Sequence, residues 1–441
     1  MPAATQQDAQ TAAAVAVPQS RPGMRSTAEF YERLRLRPPI VSWTLLLLLT
    51  IAFGLEYLWG GPTHTATLVR MGAEVPPRIL AGEWWRLLAP TFLHANIPHF
   101  AMNTVAMLSL APFLERLVGS ARFLSLYVVS GLLGSLFGTL FADVSGHTVS
   151  VGASGALFGL FGASAALGFR PRGQLPAGMV ADLKRNAIVN FGLNVVISLR
   201  PNIDYLAHLG GAVAGVFIVG LGLVGPTIWA RPDGRPRHDA IAAGAAVLAA
   251  LALLGSFAAA LLHGHPWDLR HPPKLATRQL ADTRLAISLP AAFVAAPLPA
   301  RSDGVKPLLF RDPFNPLLRI HVLVVPIEGS SDATSVRELF RDASADELSL
   351  LPPHASRSAP PSIVDIAGYQ AIDSRFRYRG GAEQRRLFYI RPGYQIVMEV
   401  DIPAETPPPW QIDPVLLLGT LHDGSQAAPQ PAPARKESPH G

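Results

Sequence analysis

The stretch SVGASGALFG, residues 150–159, is built from small residues although it lies in a strongly apolar part of the chain. A helix face toward lipid normally carries large apolar side chains, whereas glycine and alanine let two helices approach closely. The residues Gly152, Ser154, Gly155 and Gly159 therefore indicate either tight helix packing or a serine with a chemical role. Taken alone, the glycines favour packing.

The composition is typical of a polytopic membrane protein. Of 441 residues, 49% are hydrophobic and only 15% are charged, whereas soluble domains carry about 25% charged residues. The pI of about 9.8 comes from arginines spread over short loops, which argues against a nucleic-acid partner and for charges that orient membrane segments. There is no cysteine, so disulfides and thiolate metal sites are excluded.

Several apolar stretches approach the length of about 20 residues that a membrane-spanning helix needs. We predict spans near residues 40–59, 97–117, 122–142, 154–169, 185–199, 205–224 and 240–262. The long first loop, 60–91, contains Trp84 and Trp85 followed by Arg86, a composition that favours the membrane interface.

Positive charge predicts the orientation of these spans. Arginines and lysines are concentrated in the N-terminal tail and in the loops after the second, fourth and sixth spans. Apart from the long first loop, the loops after the odd-numbered spans carry fewer arginines and lysines. Because positive loops stay on the cytoplasmic side, we expect a cytoplasmic N-terminus and a C-terminus outside. The arginine-heavy composition, with 37 lysines and arginines of which few are lysine, suits a bacterial inner membrane, with the C-terminal domain in the periplasm.

The predicted fold is an all-α polytopic membrane bundle followed by a small α+β extracytoplasmic domain. In this domain, apolar alternation near 320–325 and 396–402 predicts strands, and Gly380–Gly381 predicts a hairpin turn. Helices are expected at 335–343 and 410–421. The predicted order is a cytoplasmic tail at 1–39, a membrane core at 40–225, a loop and seventh helix at 226–262, a linker at 263–282, the α+β domain at 283–421 and a disordered tail at 422–441.

Polar side chains inside membrane spans are costly and usually functional. His94, His99 and Asn103 lie near the start of the second span, Ser154 starts the fourth, and His208 is one turn into the sixth. In the predicted topology these three helices all begin at the outer face. The polar residues therefore fall in one shallow layer of the membrane.

Acyl transfer is the chemistry that suits this layer. A serine hydroxyl needs a base to accept its proton, and imidazole is the usual base. His99 and Asn103, at positions i and i+4, share one helix face and are candidate donors to an oxyanion. Ser154 at a helix start adds backbone N–H groups, and Gly152 and Gly155 leave room for a substrate backbone.

Other interpretations of the same residues are weaker or compatible. Metal binding is disfavoured because no HExxH motif is present and His94 and His99 are five residues apart. Asp204 precedes His208 by one turn, which permits a triad, but a polar residue at a helix start is the favoured reading. Gly211 and Gly215 form a GxxxG motif that predicts close helix packing, and such packing would also bring Ser154 to His208.

Residues 84–215 resemble the rhomboid family of intramembrane serine proteases. The resemblance rests on WWR in the first loop, His94-x4-His99-x3-Asn103, GASG around Ser154, and AHLGGAVAG from Ala207. It implies a six-helix rhomboid core, and the predicted seventh transmembrane helix lies beyond that core. It further implies a dyad of Ser154 and His208, an oxyanion hole from the serine N–H, His99 and Asn103, and no metal or cofactor.

The resemblance assigns supporting roles to His94, Gly152, Gly155, Phe158, Gly211 and Gly215. It departs from the family at Phe158, where a tyrosine often packs on the catalytic imidazole. The implied partners are transmembrane protein substrates, cut near the outer membrane face after a small residue, within the lipid bilayer. The C-terminal domain, which resembles sheet-plus-helix folds of the Mog1/PsbP type, is expected to bind substrate or an extracytoplasmic partner.

Two other functions fit parts of this pattern. A catalytically inactive rhomboid-like protein would bind membrane clients without cutting them, but the intact Ser154 and His208 pair argues against it. A transporter should show broken helices and charges near the midplane, often in repeated halves. The chain has a shallow polar layer and no internal repeat, so we expect an active protease.

Overall fold

The computed structural model describes residues 27–141, 149–169, 175–198, 204–228, 240–280, 283–299, 305–328 and 333–424. They form two compact units. The first draws on Met1–Leu46, Asn103–Gly138 and Ser154–Leu251, and the second on Leu47–Met102, Thr139–Ala153 and Ala252–Gly441. Most of the predicted tails, at 1–26 and 425–441, lies outside the described residues.

The described chain up to Gly264 is helical, with short 3-10 turns at Trp84–Leu87 and Ala89–Phe92. The helices are α1 (Thr27–Arg35), α2 (Ile40–Leu58), α3 (Thr65–Arg70), α4 (Pro76–Leu80), α5 (Ile97–Val118), α6 (Ser120–Phe141), α7 (Ser154–Phe169), α8 (Ala177–Ser198), α9 (Tyr205–Gly220) and α10 (Ala240–Gly264). Each predicted span overlaps one of these helices. Helix α8 begins eight residues before the predicted fifth span, because polar residues such as Lys184 precede its apolar part.

Length and composition single out the helices that can cross a membrane. Among the described helices, four qualify, namely α2, α5, α6 and α10. Helices α7 and α9 are apolar but have only 16 residues each. The total of seven spans and their orientation stay predictions.

In the first unit, a buried carboxylate joins the ends of three helices. Glu115, 1% exposed, accepts hydrogen bonds from the backbone N–H groups of Val41 (2.9 Å) and Ser42 (2.7 Å) at the start of α2. It also accepts from the hydroxyl groups of Ser42 and Ser120. Gly119, at φ +88°, separates α5 from α6 with the left-handed conformation that glycine adopts readily. Glu115 therefore caps the N-terminus of α2 from another helix.

The second unit contains two antiparallel sheets. A seven-stranded sheet has the order β3-β4-β5-β9-β8-β7-β6, and a three-stranded sheet has the order β1-β2-β10. The strands are β1 (Leu275–Gln279), β2 (Leu285–Pro290), β3 (Val294–Ala296), β4 (Leu308–Arg311), β5 (Arg319–Pro326), β6 (Ala355–Ile366), β7 (Tyr369–Tyr378), β8 (Glu383–Arg391), β9 (Tyr394–Ile402) and β10 (His422–Asp423).

The predicted alternation sets the core of the larger sheet. Ile320 faces Val400 and Val322 faces Met398 across β5 and β9, and all four side chains are buried. The hairpin around Gly380–Gly381 is present between β7 and β8. Helix α11 (Ala333–Ser349) includes the predicted helix at 335–343 and packs on the other sheet face through Val336 and Phe340.

Some predicted elements differ from the structure. The helix predicted at 410–421 is wrong over most of its length: only α12 (Pro414–Leu418) is α-helical, between the capping Asp413 and Gly419. The predicted linker at 263–282 contains β1, which pairs with β2. Most side chains of β1 are exposed, so this strand has no apolar alternation to reveal it. Strand β10 (His422–Asp423) lies in the segment predicted as a disordered tail at 422–441, and α1 lies within the predicted cytoplasmic tail at 1–39.

Candidate active site

Ser154 and His208 are brought together in the first unit. The Ser154 Oγ and the His208 Nε2 are 2.8 Å apart, a good hydrogen-bonding distance for these atoms. Both residues are half-buried. With Nε2 unprotonated, the hydroxyl donates to the ring, which is the arrangement in which imidazole can accept the serine proton.

The serine side chain is placed by the start of α7. Ser154 is the first residue of this helix, so the free N–H groups of the first turn and the positive end of the helix dipole lie beside it. Helix α7 begins just after Gly152, which has φ +129°. A residue with a side chain is strained in that conformation.

The histidine is placed by a capped helix. The Asp204 carboxylate accepts a hydrogen bond from the Ala207 N–H at 2.9 Å and so caps α9. This confirms the prediction that Asp204 is a helix-start residue. His208 follows one turn later. The cap fixes the first turn from which the imidazole projects.

Phe158 packs flat on the imidazole. The two rings are stacked, with centroids 4.2 Å apart and an angle of 10° between their planes. Phe158 lies one turn after Ser154 on α7, so the helix that carries the nucleophile also supplies this contact. The ring restricts the tilt of the imidazole without offering a hydroxyl group.

Small residues let α7 and α9 approach until their backbones touch. A methyl group added at Gly211 would collide with the Gly155 carbonyl oxygen, and one at Gly215 would collide with the Gly159 carbonyl oxygen. Across the same interface, a methyl at Gly162 would collide with the Ala212 carbonyl oxygen. These glycines are required for the short distance between the two helices. This short distance brings Ser154 to His208.

The second unit holds another part of the predicted polar layer. His94 is fully buried, and its backbone N–H donates to the Glu56 carboxylate at 2.9 Å. The imidazole lies edge-on to Phe53, Phe100 and His99, with ring centroids 5.2 to 6.1 Å apart. A buried carboxylate of α2 therefore holds the segment that leads into α5.

His99 and Asn103 lie one turn apart on α5. The His99 backbone N–H donates to the Asn96 side-chain oxygen at 2.9 Å, which caps the start of the helix. Asn103 is 5% exposed. Their shared helix face agrees with the spacing in the sequence, and their role as oxyanion donors stays a prediction.

The arginine of the WWR motif organises the first loop. Arg86 is 2% exposed. It donates to the carbonyl oxygens of Val69 (2.7 Å) and Ala73 (2.9 Å) and to the Glu83 carboxylate (2.6 Å). Burial lowers the pKa of Arg86 to about 10, so the group stays a cation. The motif that suggested an interfacial loop thus holds two turns of that loop together.

Sequence reasoning missed Glu56 and Glu115. Both are ionisable residues inside apolar helices, and both are almost fully buried. Such residues are expensive in a membrane unless they are hydrogen-bonded, and this signal was present in the sequence. Among the described residues, no group of three or more histidines and carboxylates is arranged to hold a metal ion.

Comparison with known proteins places this geometry in a family. Residues 81–224 match the model of the Rhomboid domain. The putative rhomboid protease YdcA of Bacillus subtilis is 36% identical over 200 residues, which cover 44% of this chain and 92% of that protein. Rhomboid protease GluP, also of Bacillus subtilis, is 37% identical over 179 residues, or 41% of this chain.

The similarity to these relatives covers less than half of this chain. The chain spans about a third of the length of GluP, 34% of that protein. The structure of cyanobacterial PsbP from Synechocystis is 14% identical in sequence, over an alignment that covers 29% of this chain and 80% of PsbP. Its TM-score of 0.22 supports no fold assignment. The membrane region is different, because the family match at residues 81–224 includes both Ser154 and His208. The chain belongs to the rhomboid family and is an integral membrane protein.

Proposed function

We propose that this chain is an intramembrane serine endopeptidase that uses Ser154 as nucleophile and His208 as general base and acid. The observation that carries the proposal is the 2.8 Å separation of the Ser154 Oγ and the His208 Nε2. The two groups lie in the first turns of two apolar helices. An activated serine in such surroundings suits hydrolysis of a peptide bond that enters from the membrane.

In the first step the serine forms an ester with the substrate. The Ser154 Oγ bonds to the scissile carbonyl carbon while its proton moves to the His208 Nε2. The tetrahedral intermediate then breaks its carbon–nitrogen bond, and the imidazolium returns the proton to the leaving amine. The products of this step are an acyl-serine and a new N-terminus.

The oxyanion of this step needs hydrogen-bond donors. The Ser154 backbone N–H lies in the first turn of α7, where N–H groups have no partner within the helix. His99 and Asn103 present two further donors on one face of α5. Preorganised donors of this kind typically contribute about 100- to 1000-fold in rate each, so we assign all three to the oxyanion hole.

Water completes the reaction. His208 removes a proton from a water molecule as the water oxygen bonds to the acyl carbon, and the ester bond to the Ser154 Oγ breaks with return of the proton to that oxygen. Phe158 holds the imidazole plane during both steps. His94, Gly152, Gly155, Gly211 and Gly215 support the surrounding backbone.

We assign the substrates to the class of single-span membrane proteins with a small residue before the cut, near the outer membrane face. The resemblance to the rhomboid family supports this class, whereas Gly155 and Gly159 face the neighbouring helices α9 and α6 rather than open space. The proposed arrangement is a cytoplasmic N-terminus and a periplasmic C-terminal domain in a bacterial inner membrane. The charge distribution of the loops supports this orientation.

A cleavage assay in membranes tests the proposal. The full chain is reconstituted in proteoliposomes with a single-span reporter that carries alanine, glycine and serine at its outer end, and the products are identified by mass spectrometry. We expect one cut near that end by the wild type and none by Ser154→Ala. Ser109→Ala, an exposed serine of α5, is the matched control and should cut normally. Reporter binding without cleavage by the wild type would favour the client-binding alternative.

A further inference from the structure

The first loop, residues 60–91, contacts two parts of the chain that lie beyond the Rhomboid match, which ends at residue 224. One is the C-terminal end of α10, and the other is the sheet region that follows it. All these contacts lie within the second unit. They raise the question of what parts outside the family core contribute to the proposed enzyme.

Helix α10 packs against the loop backbone without a gap. A methyl group added at Gly264 would collide with the Arg70 carbonyl oxygen, and Ala260, one turn earlier, faces Gly72 of the loop. The imidazole of His263 stacks on the Trp85 ring at 4.3 Å. One helix face therefore touches the loop at several points.

Arg70 joins this helix end to the sheet region. Its side chain is 3% exposed, and its Nη1 donates to the Gly264 carbonyl oxygen at 3.0 Å. Its Nη2 lies 3.8 Å from the Oδ1 of Asp312, which is 1% exposed. The guanidinium also stacks over Phe314 (4.3 Å) and Trp410 (5.0 Å). One loop arginine thus contacts α10 and two separate segments of the C-terminal region.

A second arginine repeats the contact. The Arg78 Nη1 donates to the Pro313 carbonyl oxygen at 2.9 Å, and its guanidinium lies 4.7 Å from the Phe314 ring centre. The Phe314 ring therefore contacts two loop guanidinium groups. Asp312 accepts a hydrogen bond from the Phe314 N–H at 2.9 Å, which fixes the turn that presents the ring.

The loop in turn holds the backbone just before the nucleophile. Glu74 and Ser150 exchange two backbone hydrogen bonds of 2.9 and 3.0 Å, and the Gly152 N–H donates to the Pro90 carbonyl oxygen at 2.9 Å. Ser154 follows Gly152 by two residues. Contacts thus run from the sheet region through Arg70 and the loop to the segment 150–152.

We propose that Arg70 is a positioning residue and that the C-terminal region, together with the end of α10, sets the backbone that precedes Ser154. The proposal rests on the function assigned to Ser154 above. In this role the C-terminal region contributes to the proposed proteolytic activity, rather than forming an independent domain joined by a linker. Its action on the nucleophile passes through the loop and residues 150–152.

Hydrogen exchange of the full chain in detergent measures the contact directly. The variants are Gly264→Ala and Arg70→Met. The controls are Gly255→Ala, on the same helix where an added methyl meets nothing within 4 Å, and Arg319→Met, whose arginine pairs with Asp401 on the sheet. We expect exchange of the Ser150 and Gly152 amides to be at least about tenfold faster in the two variants, because weakened local structure opens more often. The controls should match the wild type.

Labelling of Ser154 by a fluorophosphonate measures the consequence for the nucleophile. In the two variants we expect the maximal labelling rate to fall by about tenfold, since a misplacement of about 1 Å can cost about 100-fold. The probe concentration at half-maximal rate should stay unchanged. Arg70→Lys keeps the charge beside Asp312 but loses the planar stack on Phe314, so its labelling rate should lie between those of Arg70→Met and the wild type.

The outcomes separate this proposal from the proposed function. Unchanged exchange at Ser150 and Gly152 in folded Gly264→Ala and Arg70→Met proteins would overturn the coupling. Faster exchange with an unchanged labelling rate would overturn the positioning role. A wild type that never labels would contradict the protease assignment, while the exchange comparison would still decide whether Arg70 and α10 hold the segment.

Discussion

Phe158 lies flat on the imidazole that faces Ser154, and this contact gives the first prediction. Replacement by alanine removes a stacked ring, an interaction of about 1 kcal/mol, so we expect reporter cleavage to fall by about fivefold. Phe158→Tyr keeps the ring and should cleave at the wild-type rate. Cleavage rates in proteoliposomes measure both, and an alanine variant as fast as the wild type would show that the stack has no catalytic role.

At the residue scale, the sequence predicted the polar groups that stand at helix starts. Ser154, His208 and Asp204 interrupt apolar segments at a recognisable position, and their side chains serve the contacts predicted for them. Glu56 and Glu115 also interrupt apolar segments, but their partners are backbone N–H groups and hydroxyls of distant segments, which the sequence did not reveal. No local pattern shows which backbone will meet a carboxylate.

Glu115 provides a second prediction, about stability. Its carboxylate accepts hydrogen bonds from two backbone N–H groups and two hydroxyls. Glu115→Gln replaces one acceptor oxygen by a donor and leaves at least one of these groups unpaired, which costs about 1–3 kcal/mol. We expect a lower midpoint of thermal unfolding in detergent. Glu32→Gln, at an exposed site on α1, is the control, and equal midpoints for the two variants would contradict the capping role.

At the scale of elements, the contact between α7 and α9 gives a third prediction. Gly211→Ala places a methyl against the Gly155 carbonyl oxygen, and such overpacking costs about 1–3 kcal/mol. We expect both a lower unfolding midpoint and a loss of reporter cleavage, because the added methyl group forces apart the two helices that carry Ser154 and His208. Gly220→Ala lies on the same helix, where an added methyl meets nothing within 4 Å.

The Gly220→Ala control should cleave normally and be no less stable, since alanine favours a helix by about 1 kcal/mol over glycine. If Gly211→Ala behaved like Gly220→Ala in both measurements, close packing of α7 and α9 would not be needed for the site.

Elements with a strong apolar period were predictable, and elements made by tertiary contact were not. The apolar stretches predicted the positions of helices such as α2 and α10, and alternation predicted β5 and β9. Strand β1 is mostly exposed and exists because β2 pairs with it. The apolar residues near 415–421 predicted one long helix, whereas capping residues at both ends limit α12 to five residues.

For the whole molecule, the absence of cysteine permits a clean test of orientation, which is the fourth prediction. Single cysteines replace exposed residues, Glu32→Cys on α1 and Gln370→Cys on β7. In intact spheroplasts a membrane-impermeant maleimide should label Gln370→Cys only. Glu32→Cys should label after permeabilisation.

The unsubstituted chain, without a thiol, is the control for that labelling. Labelling of Glu32→Cys in intact spheroplasts, with Gln370→Cys protected, would invert the proposed topology and place the C-terminal region in the cytoplasm.

The long-range organisation was the least predictable part. The sequence predicted a membrane region followed by a separate sheet-rich C-terminal region. The Rhomboid match at residues 81–224 and the two sheets that follow it in the chain agree with this division. It did not reveal that Arg70 and Arg78 of the first loop contact Asp312, Pro313 and Phe314. These pairs are more than 230 residues apart in the chain, and neither partner belongs to a motif.

The most direct test of the central claim is covalent labelling of Ser154. Purified full-length protein is treated with a fluorophosphonate, and the modified peptide is located by mass spectrometry beside Ser154→Ala, His208→Ala and the Ser109→Ala control. Dyad members act as a unit, so only the wild type and the control should carry the adduct, and it should lie on Ser154. Labelling of His208→Ala at the wild-type rate, or an unlabelled wild type, would contradict an activated serine at this site.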